Sequence, residues 1–457
     1  MCVLPHAGTD LDVLRRMRTR IAFVALLTAG AGLGTSACTG EDAAIPGEAP
    51  TAPSKDDSGD YTVTGARAWY LVGNALTPGD DTLELSIKGP TSSQVVDLWL
   101  DGQYKKRATR TSTGWKFSLD ISDLPPGDHV ALLAADGDRY AFAAVRFKRS
   151  HPLYIAVSND WDTGDHGDDK LERQDRLHAH HPRMTLTHFV GPYTFTDPAV
   201  SATRAQQLVN WVKGWEQSAG DEIGLHVHPY CNFVTTAGVT CRTAPSFAYA
   251  SDTTGYTVIL GSYTRTELEK LFIKAGQLFE ANGLGKPTSF RAGGWTSTLD
   301  VLEALSTAGH VVDASGANWA KLEEWEHHAG AQLYQWNREN WASIDEESQP
   351  YYPNTSDLLA DSAPHVDILE VPDNGALVDY VSTDEMVTMF RKNYAPGTAL
   401  AEPRHYSIGY HPVNFSEAFF TRIDNALYEI DKHLAADDKG PAIYVRMSDL
   451  PTAFTQL

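Results

Sequence analysis

The sequence predicts an α/β protein whose C-terminal two-thirds form a (β/α) barrel, preceded by a small antiparallel β-sandwich. At 457 residues the chain is too long for one ordinary core, so two or three domains are expected. Residues 61–149 show short runs of alternating apolar and polar residues between turns. From residue 150 onward, apolar strand-like runs alternate with helical patterns, which indicates a parallel sheet with helices outside it.

Residues 1–38 are predicted to be an export segment. Arginines at positions 15, 16, 18 and 20 precede a short apolar run at 21–34, and small residues follow that run. Cys38 comes directly after these small residues, as in a bacterial lipobox, so lipidation of Cys38 and simple cleavage near it both stay open. The protein is therefore expected to be extracellular or attached to the cell envelope, with membrane contact only through such a lipid.

Residues 39–60 are rich in Pro, Ala, Ser, Asp and Glu, and they are predicted to be a disordered linker. The following residues 61–149 look like an immunoglobulin-like β-sandwich, because period-two runs meet turns such as Asp101-Gly102. This sandwich could be a spacer or a glycan-binding module, and we favour the spacer.

Residues 150–457 are predicted to form one α/β domain. Its apolar strands alternate with helices, one starting at the turn Asp197-Pro198 and another at the capping box 264–267. About 300 residues of this pattern fit a (β/α) barrel better than an open sheet, and such barrels carry their active sites at the carboxyl ends of the strands.

The chain carries a formal net charge of −22, which argues against nucleic acid as a partner because an acidic surface repels phosphate. It has four cysteines, of which Cys231 and Cys241 lie outside the N-terminal segment. In an exported protein this pair could form a disulfide, and the alternative is two buried thiols. We favour the disulfide.

Two pairs of polar residues lie near predicted strand ends. Asp160 and Asp162 are two apart, so their side chains point to the same side of an extended chain. There, one carboxylate could bind a metal while the other takes a proton from water. His226 and His228 have the same spacing before a proline, which suits a zinc site.

Two further segments could complete such a site. Arg291, before a Gly-Gly turn, could orient a carboxylate through paired hydrogen bonds, and Trp295 could stack against a sugar. His411, at the end of the last strand but one, could be a general acid. Trp161, between the two aspartates, and Tyr230, two residues after His228, are further candidates for substrate contact.

The other histidines carry weaker expectations. His178, His180 and His181 lie in a polar stretch and are expected to face solvent, whereas His166 could be a ligand from a loop.

Together, the ordered motifs Asp-x-Asp, His-x-His-Pro, Arg-x-x-x-Trp and a late His-Pro resemble those of the NodB-homology polysaccharide deacetylases, which include carbohydrate esterase family 4. The resemblance covers about residues 153–457. It implies a distorted (β/α) barrel, one divalent metal, usually zinc, held by one Asp and two His, and removal of acetyl groups from amino sugars.

Residue by residue, the resemblance implies that Asp160 is the catalytic base, steadied by Arg291, and that His411 is the general acid. It implies three metal ligands, namely Asp162, His226 and His228. The spacing departs from the best-known members, which have adjacent aspartates and histidines four apart.

The implied function is metal-dependent removal of N-acetyl or O-acetyl groups from a cell-surface or extracellular polysaccharide, with an acetylated amino-sugar polymer as the partner. Two alternatives stay open. One is an amidohydrolase of a non-sugar C–N bond, and the other is a non-catalytic glycan-binding lipoprotein.

Overall fold

A computed structural model describes residues 47–53, 59–322 and 331–455. The predicted export segment with Cys38, and most of the predicted linker, lie outside the described residues. Within the described ranges, the structure contains no helix with the length and apolar character needed to cross a membrane.

The N-terminal part consists of two β-sheets packed face to face. One has the strand order β1-β3-β7-β6 and the other the order β2-β9-β8-β4-β5. The strands are β1 (Thr62–Thr64), β2 (Trp69–Leu71), β3 (Thr82–Lys88), β4 (Val96–Leu100), β5 (Gln103–Arg107), β6 (Thr109–Thr111), β7 (Gly114–Asp120), β8 (Gly127–Ala135) and β9 (Ala143–Ser150).

The sandwich follows directly from the alternation in the sequence. Along β3 every second side chain is buried, so that Leu83, Leu85 and Ile87 join the core between the two sheets. The predicted turn at Asp101-Gly102 is present, with φ of 50° and 78°. The immunoglobulin-like assignment stays a prediction.

The sandwich packs on the barrel at the end where the barrel strands begin. Trp69 belongs to a hydrophobic cluster of the barrel, and the backbone N–H groups of Ala68 and Trp69 donate to the Asp438 carboxylate at 2.7 and 2.8 Å. Asn74 Nδ2 donates to the hydroxyl of Tyr154, the second residue of the first barrel strand, at 2.8 Å.

A curled parallel sheet forms the C-terminal part, as predicted, and it has eight strands in the part of the chain that the structure describes. Its order is β17-β14-β13-β12-β11-β10-β18, and β19 also pairs with β10. The strands of this sheet are β10 (Leu153–Asp160), β11 (Leu186–Val190), β12 (Glu222–Val227), β13 (Ser289–Ala292), β14 (Val312–Asp313), β17 (Leu369–Glu370), β18 (Arg404–Tyr410) and β19 (Ala442–Tyr444). Between β14 and β17, β15 (Pro353–Asn354) and β16 (Asp357–Asp361) form a separate hairpin. A parallel bridge between Leu377 and Gly409 links the segment after β17 to β18, so the two ends of the sheet approach each other.

Helices connect these strands. They are α1 (Asp168–His180), α2 (Ala202–Ala219), α3 (Cys231–Thr236), α4 (Arg265–Ala281), α5 (Leu299–Ala308), α6 (Ala331–Asn340), α7 (Thr383–Asn393) and α8 (Glu417–Asp431). The predicted capping box at Thr264 and Glu267 opens α4. In contrast, α2 starts after Ser201 rather than at Asp197, because Asp197 instead accepts a hydrogen bond from the N–H of Ala199 and forms a turn.

The long connection between β12 and α4 carries α3 and a disulfide between Cys231 and Cys241. It also carries Tyr249 and Tyr256, which line the cavity described below.

The expectation that three histidines face solvent was wrong for two of them. His178 and His181 are buried, because each has a carboxylate partner distant in sequence: Asp221 at 2.8 Å and Asp431 at 2.7 Å. Only His180 is exposed, as expected.

Candidate metal centre and active site

The motif residues meet at the carboxyl ends of β10, β12, β13 and β18. Asp160 ends β10 and Asp162 lies two residues further on, His226 and His228 lie at the end of β12, and His411 follows β18. Arg291 lies in β13 beside β12, where it pairs with His226. All of these side chains are buried. The parallel strands therefore bring residues as far apart in sequence as Asp160 and His411, 251 positions, to one end of the sheet.

Three of these residues, Asp162, His226 and His228, lie close together and are called the metal group. The ligand atoms of Asp162, His226 and His228 all lie within 4.8 Å of one another. The Nε2 atoms of His226 and His228 lie 3.1 and 3.3 Å from the same carboxylate oxygen, Asp162 Oδ1. Ligands of a tetrahedral zinc at about 2.0–2.1 Å would be about 3.3–3.4 Å apart, so this spacing is close to that of a metal site.

The hydrogen bonds of the two Nδ1 atoms indicate where the ring hydrogens of His226 and His228 lie. The Nδ1 of His226 lies 2.9 Å from the backbone oxygen of Arg291, and the Nδ1 of His228 lies 2.7 Å from that of Tyr256. A carbonyl oxygen only accepts, so each Nδ1 carries the hydrogen, and a ring with its single hydrogen on Nδ1 presents a lone pair at Nε2. Two lone pairs then face the oxygen of Asp162, an arrangement that a cation between them stabilises. The residues present therefore fit a divalent metal, and the carbonyl partners orient the rings as in known metal sites.

Two tyrosines hold Asp162 in place. The hydroxyl of Tyr256 donates to Asp162 Oδ2 at 2.9 Å, and that of Tyr230 donates to the backbone oxygen of Asp162 at 3.1 Å. Burial alone would raise the pKa of Asp162, but the neighbouring positive charge, that of His411 foremost, holds the pKa well below its usual value. Asp162 is therefore a carboxylate at neutral pH, the form that binds a metal.

Asp160 is held by Arg291. The Nη1 of Arg291 donates to Asp160 Oδ1 at 3.0 Å and to Ser158 Oγ at 2.9 Å, and its Nε donates to the backbone oxygen of Ala314 at 2.8 Å. The guanidinium is fully buried, so the pair is shielded from solvent. Asp160 consequently has a fixed position at the edge of the metal group.

Replacing Arg291 by methionine is expected to destabilise the fold by about 3–5 kcal/mol, because it leaves the carboxylate of Asp160 buried without its charged partner. Denaturant unfolding measures this loss. The matched control is Arg265→Met on the surface of α4, whose ion pairs are exposed and should contribute less than about 1 kcal/mol. Equal effects of the two substitutions would contradict a structural role for the buried pair.

His411 has a carboxylate partner that the sequence did not reveal. Its Nδ1 lies 3.0 Å from Asp379 Oδ2, while its Nε2 faces the metal group, 3.8 Å from Asp162 Oδ2. Burial alone would lower the pKa of His411, but the carboxylates of Asp379, Asp162 and Asp160 outweigh it and raise the pKa to about 10. His411 is therefore a protonated imidazolium near neutral pH, with Nε2–H available to a substrate.

Replacing Asp379 by asparagine is expected to move the basic limb of the pH–rate profile to lower pH by about one unit or more. The protonated form of His411 is lost as the pH rises through its pKa. Among the neighbouring groups, Asp379 raises this pKa most, so removing its charge lowers the pKa and the pH at which activity falls. The pH profile of kcat for the acetyl removal that the resemblance implies checks this. Asp384→Asn, an exposed change on α7, should leave the profile in place, and an unshifted limb in Asp379→Asn would contradict the pairing.

The cavity above the metal group is small, with a volume of about 20 Å³, which is room for about one water molecule. Its walls are Asp160, Asp162, His226, His228, Tyr249, Tyr256, Ala292, Gly294, Trp295, Leu333, Tyr380 and His411. It can hold a reacting water but not a sugar ring.

The aromatic residues predicted to contact substrate have different surroundings. Trp295 lines the cavity, but its Nε1 donates to Asp373 at 3.2 Å and only 4% of the residue is exposed. Trp161 is packed in the core beside His166 and Trp211, so its ring does not reach the cavity. Tyr230 acts on the backbone of Asp162, as described above.

His166, which the sequence offered as a loop ligand, is not among the residues that converge on the metal group. It is buried against Trp161, and neither ring nitrogen has a hydrogen-bond partner. Burial lowers its pKa to about 3, so the ring is neutral.

A second group of His178, His188 and Asp221 has similar composition but different hydrogen bonding. The Nδ1 of His188 lies 3.0 Å from the amide nitrogen of Asn159, a donor, so that Nδ1 accepts and Nε2–H donates to Asp221. The Nε2 of His178 also lies 2.8 Å from Asp221 Oδ2. Because Nε2 of His188 carries a hydrogen, it donates to Asp221 and has no lone pair to offer a metal there, which sets this group apart from Asp162, His226 and His228.

Comparison with other proteins finds similarity in structure. No family model matches the chain, and no curated protein matches it either. A family 4 carbohydrate esterase from Streptomyces lividans matches with 11% identity and a TM-score of 0.33 over 67% of this chain and 98% of that one. A peptidoglycan N-acetylglucosamine deacetylase matches with 15% identity and a TM-score of 0.32, over 67% of this chain and 94% of the other.

A family 4 acetyl xylan esterase from Clostridium thermocellum, solved with a cobalt ion, matches with 12% identity and a TM-score of 0.32, over 65% and 90% of the two chains. The chain is similar to carbohydrate deacetylases and esterases of known structure. At such low identity these similarities concern the fold, and the function must be inferred from the residues of the site.

Proposed function

We propose that the protein is a metal-dependent hydrolase that removes N-acetyl or O-acetyl groups from a cell-surface or extracellular polysaccharide. One observation carries the proposal. The Nε2 atoms of His226 and His228 converge on one carboxylate oxygen of Asp162, in a cavity that Asp160 and His411 also line. This is the set of groups that hydrolysis of an amide or ester requires.

Asp162, His226 and His228 would hold the metal, and zinc suits two imidazoles with one carboxylate. Three protein ligands leave a position open, as in catalytic zinc sites. A bound metal supplies Lewis acidity, which polarises a carbonyl oxygen and lowers the pKa of water.

The protein's own residues account for the proton transfers. Asp160 takes a proton from the attacking water, whose oxygen bonds to the acetyl carbon. As the C–N or C–O bond breaks, Nε2–H of His411 protonates the leaving nitrogen or oxygen. The products are acetate and a free amine or hydroxyl group on the sugar. Arg291 holds Asp160 in position, and Asp379 keeps His411 protonated.

We also propose that the enzyme acts outside the cell. The basic and apolar N-terminal segment supports export, and Cys38 is a candidate for lipid attachment. A polymer of acetylated amino sugars in the envelope or outside the cell is then the substrate within reach.

The test is metal content together with activity. The purified protein is analysed for bound metal, and acetate release from N-acetylglucosamine oligomers is measured before and after chelation and after zinc is added back. About one metal per chain and acetate release that chelation abolishes and zinc restores would support the proposal. Metal without acetate release from sugars would favour a non-sugar C–N substrate. A protein that binds no added zinc would favour a glycan-binding role without catalysis.

A further inference from the structure

The cavity beside the metal group is too small to hold a sugar ring. Its volume of about 20 Å³ admits about one water molecule, whereas sites for small organic ligands measure about 300–1,000 Å³. The sugar units of a polymer must therefore lie beside this cavity rather than inside it.

A larger cavity of about 330 Å³ adjoins it. It lies between α6 and the connection that precedes α4, where Ala248 and Ile259 form part of its wall. Tyr249 lines both cavities, so the two share one wall. A polymer bound in the larger cavity would pass directly along the edge of the catalytic one.

One stripe of α6 supplies the remaining wall. Its residues follow helical spacing, so that they project on the same side: Gln332, Gln335, Trp336 and Glu339. Trp336 is partly buried, and Gln335 donates a hydrogen bond to Glu339. An indole ring beside amides and a carboxylate offers both an apolar surface for the C–H face of a sugar and hydrogen-bond partners for its hydroxyl groups.

The opposite side of α6 is fixed to the active site. Asn337 Nδ2 donates to the backbone oxygen of Gly294 at 3.1 Å, and the indole of Trp341, just after the helix, donates to that of Trp295 at 2.8 Å. Leu333 packs so closely over Gly294 that an added Cβ there would lie 3.0 Å from it. The position of Trp336 relative to the catalytic residues is therefore set by a rigid helix.

We propose that this cavity is a subsite for a neighbouring sugar unit of the substrate polymer, with Trp336 as its stacking platform and Gln332 and Gln335 as hydroxyl partners. The proposal rests on the proposed function for the class of ligand. It predicts that the enzyme distinguishes oligomers from a single acetylated sugar.

The test measures binding, so that it does not depend on turnover. Chelated protein is titrated by calorimetry with the monomer and the tetramer of N-acetylglucosamine. The wild type is expected to bind the tetramer more tightly than the monomer. Trp336→Ala should lose roughly 10-fold in tetramer affinity and much less in monomer affinity, because one stacking contact is removed. Trp336→Phe should retain part of the affinity.

The matched control is Tyr428→Ala, which removes an exposed aromatic side chain on α8, away from this cavity, and should change neither affinity. Gln332→Ala, an exposed change on α6, gives a second variant that does not endanger folding, and it should also weaken the tetramer selectively. Tetramer affinity that is unchanged in both α6 variants, or a wild type that binds tetramer no better than monomer, would overturn the subsite. Failure of the proposed function appears separately, as absent metal or absent acetate release.

Discussion

Asp162→Asn is expected to release the bound metal and to lower acetate release by about 10³-fold or more. The substitution keeps the shape of the side chain but removes the negative charge on which two imidazole lone pairs converge. Without that charge the site loses one of three ligands, and the remaining histidines hold a divalent ion weakly. Metal analysis after dialysis and acetate release at several zinc concentrations measure the two effects.

The matched control is Asp221→Asn in the second histidine group. Asp221 is also buried beside two histidines, but it accepts a hydrogen bond from Nε2–H of His188. This variant should lose stability while it keeps one metal per chain and most of the activity per folded molecule. If metal content fell in Asp221→Asn and stayed constant in Asp162→Asn, the metal would be bound by His178, His188 and Asp221, and the assignment of Asp162 as a ligand would be wrong.

His411→Ala is expected to lower hydrolysis of an N-acetyl amide by about 10²–10⁴-fold, because the leaving amine is then expelled without a proton donor. The same variant should lose less than about 10-fold with nitrophenyl acetate, whose leaving group departs without a proton. The contrast between the two substrates isolates proton donation from other roles. Rates with both substrates, at saturating zinc, provide the measurement.

His180→Ala serves as the control, since His180 lies exposed on α1 and should affect neither substrate. Equal losses on the amide and on the nitrophenyl ester would show that His411 acts by another route. Its distance of 3.8 Å from Asp162 suggests support of the metal group as that route. Metal content of the variant would then fall together with the rate.

The barrel and the central residues of the site could be predicted because both depend on local patterns. Period-two motifs at the ends of apolar runs locate Asp160, Asp162, His226 and His228, and parallel strands bring such ends together. The sequence thus indicated which residues converge, and the structure adds which atoms face each other.

The partners of these residues could not be predicted, because they depend on closure of the fold. Asp379 reaches His411 through the bridge between Leu377 and Gly409, which joins the two ends of the sheet. Tyr256 reaches Asp162 from a long connection without regular periodicity. No local signal in either segment distinguishes these residues from ordinary loop residues.

The wrong expectation of solvent exposure for His178 and His181 has the same physical cause. A polar helical stretch is normally solvent-exposed, but His178 and His181 are stabilised in the interior by carboxylates 43 and 250 positions away. Burial of an imidazole depends on where its partner folds, and a single sequence does not give that location.

The docking of the sandwich has a consequence for how the enzyme would meet its substrate. Asp438 and Tyr154 hold the sandwich at the end of the barrel where the strands begin, and the metal group lies where they end. Were the chain attached through Cys38 as proposed, the nine-strand sandwich would lie between the attachment point and the barrel. The metal group would then lie at the end of the barrel that faces away from the sandwich.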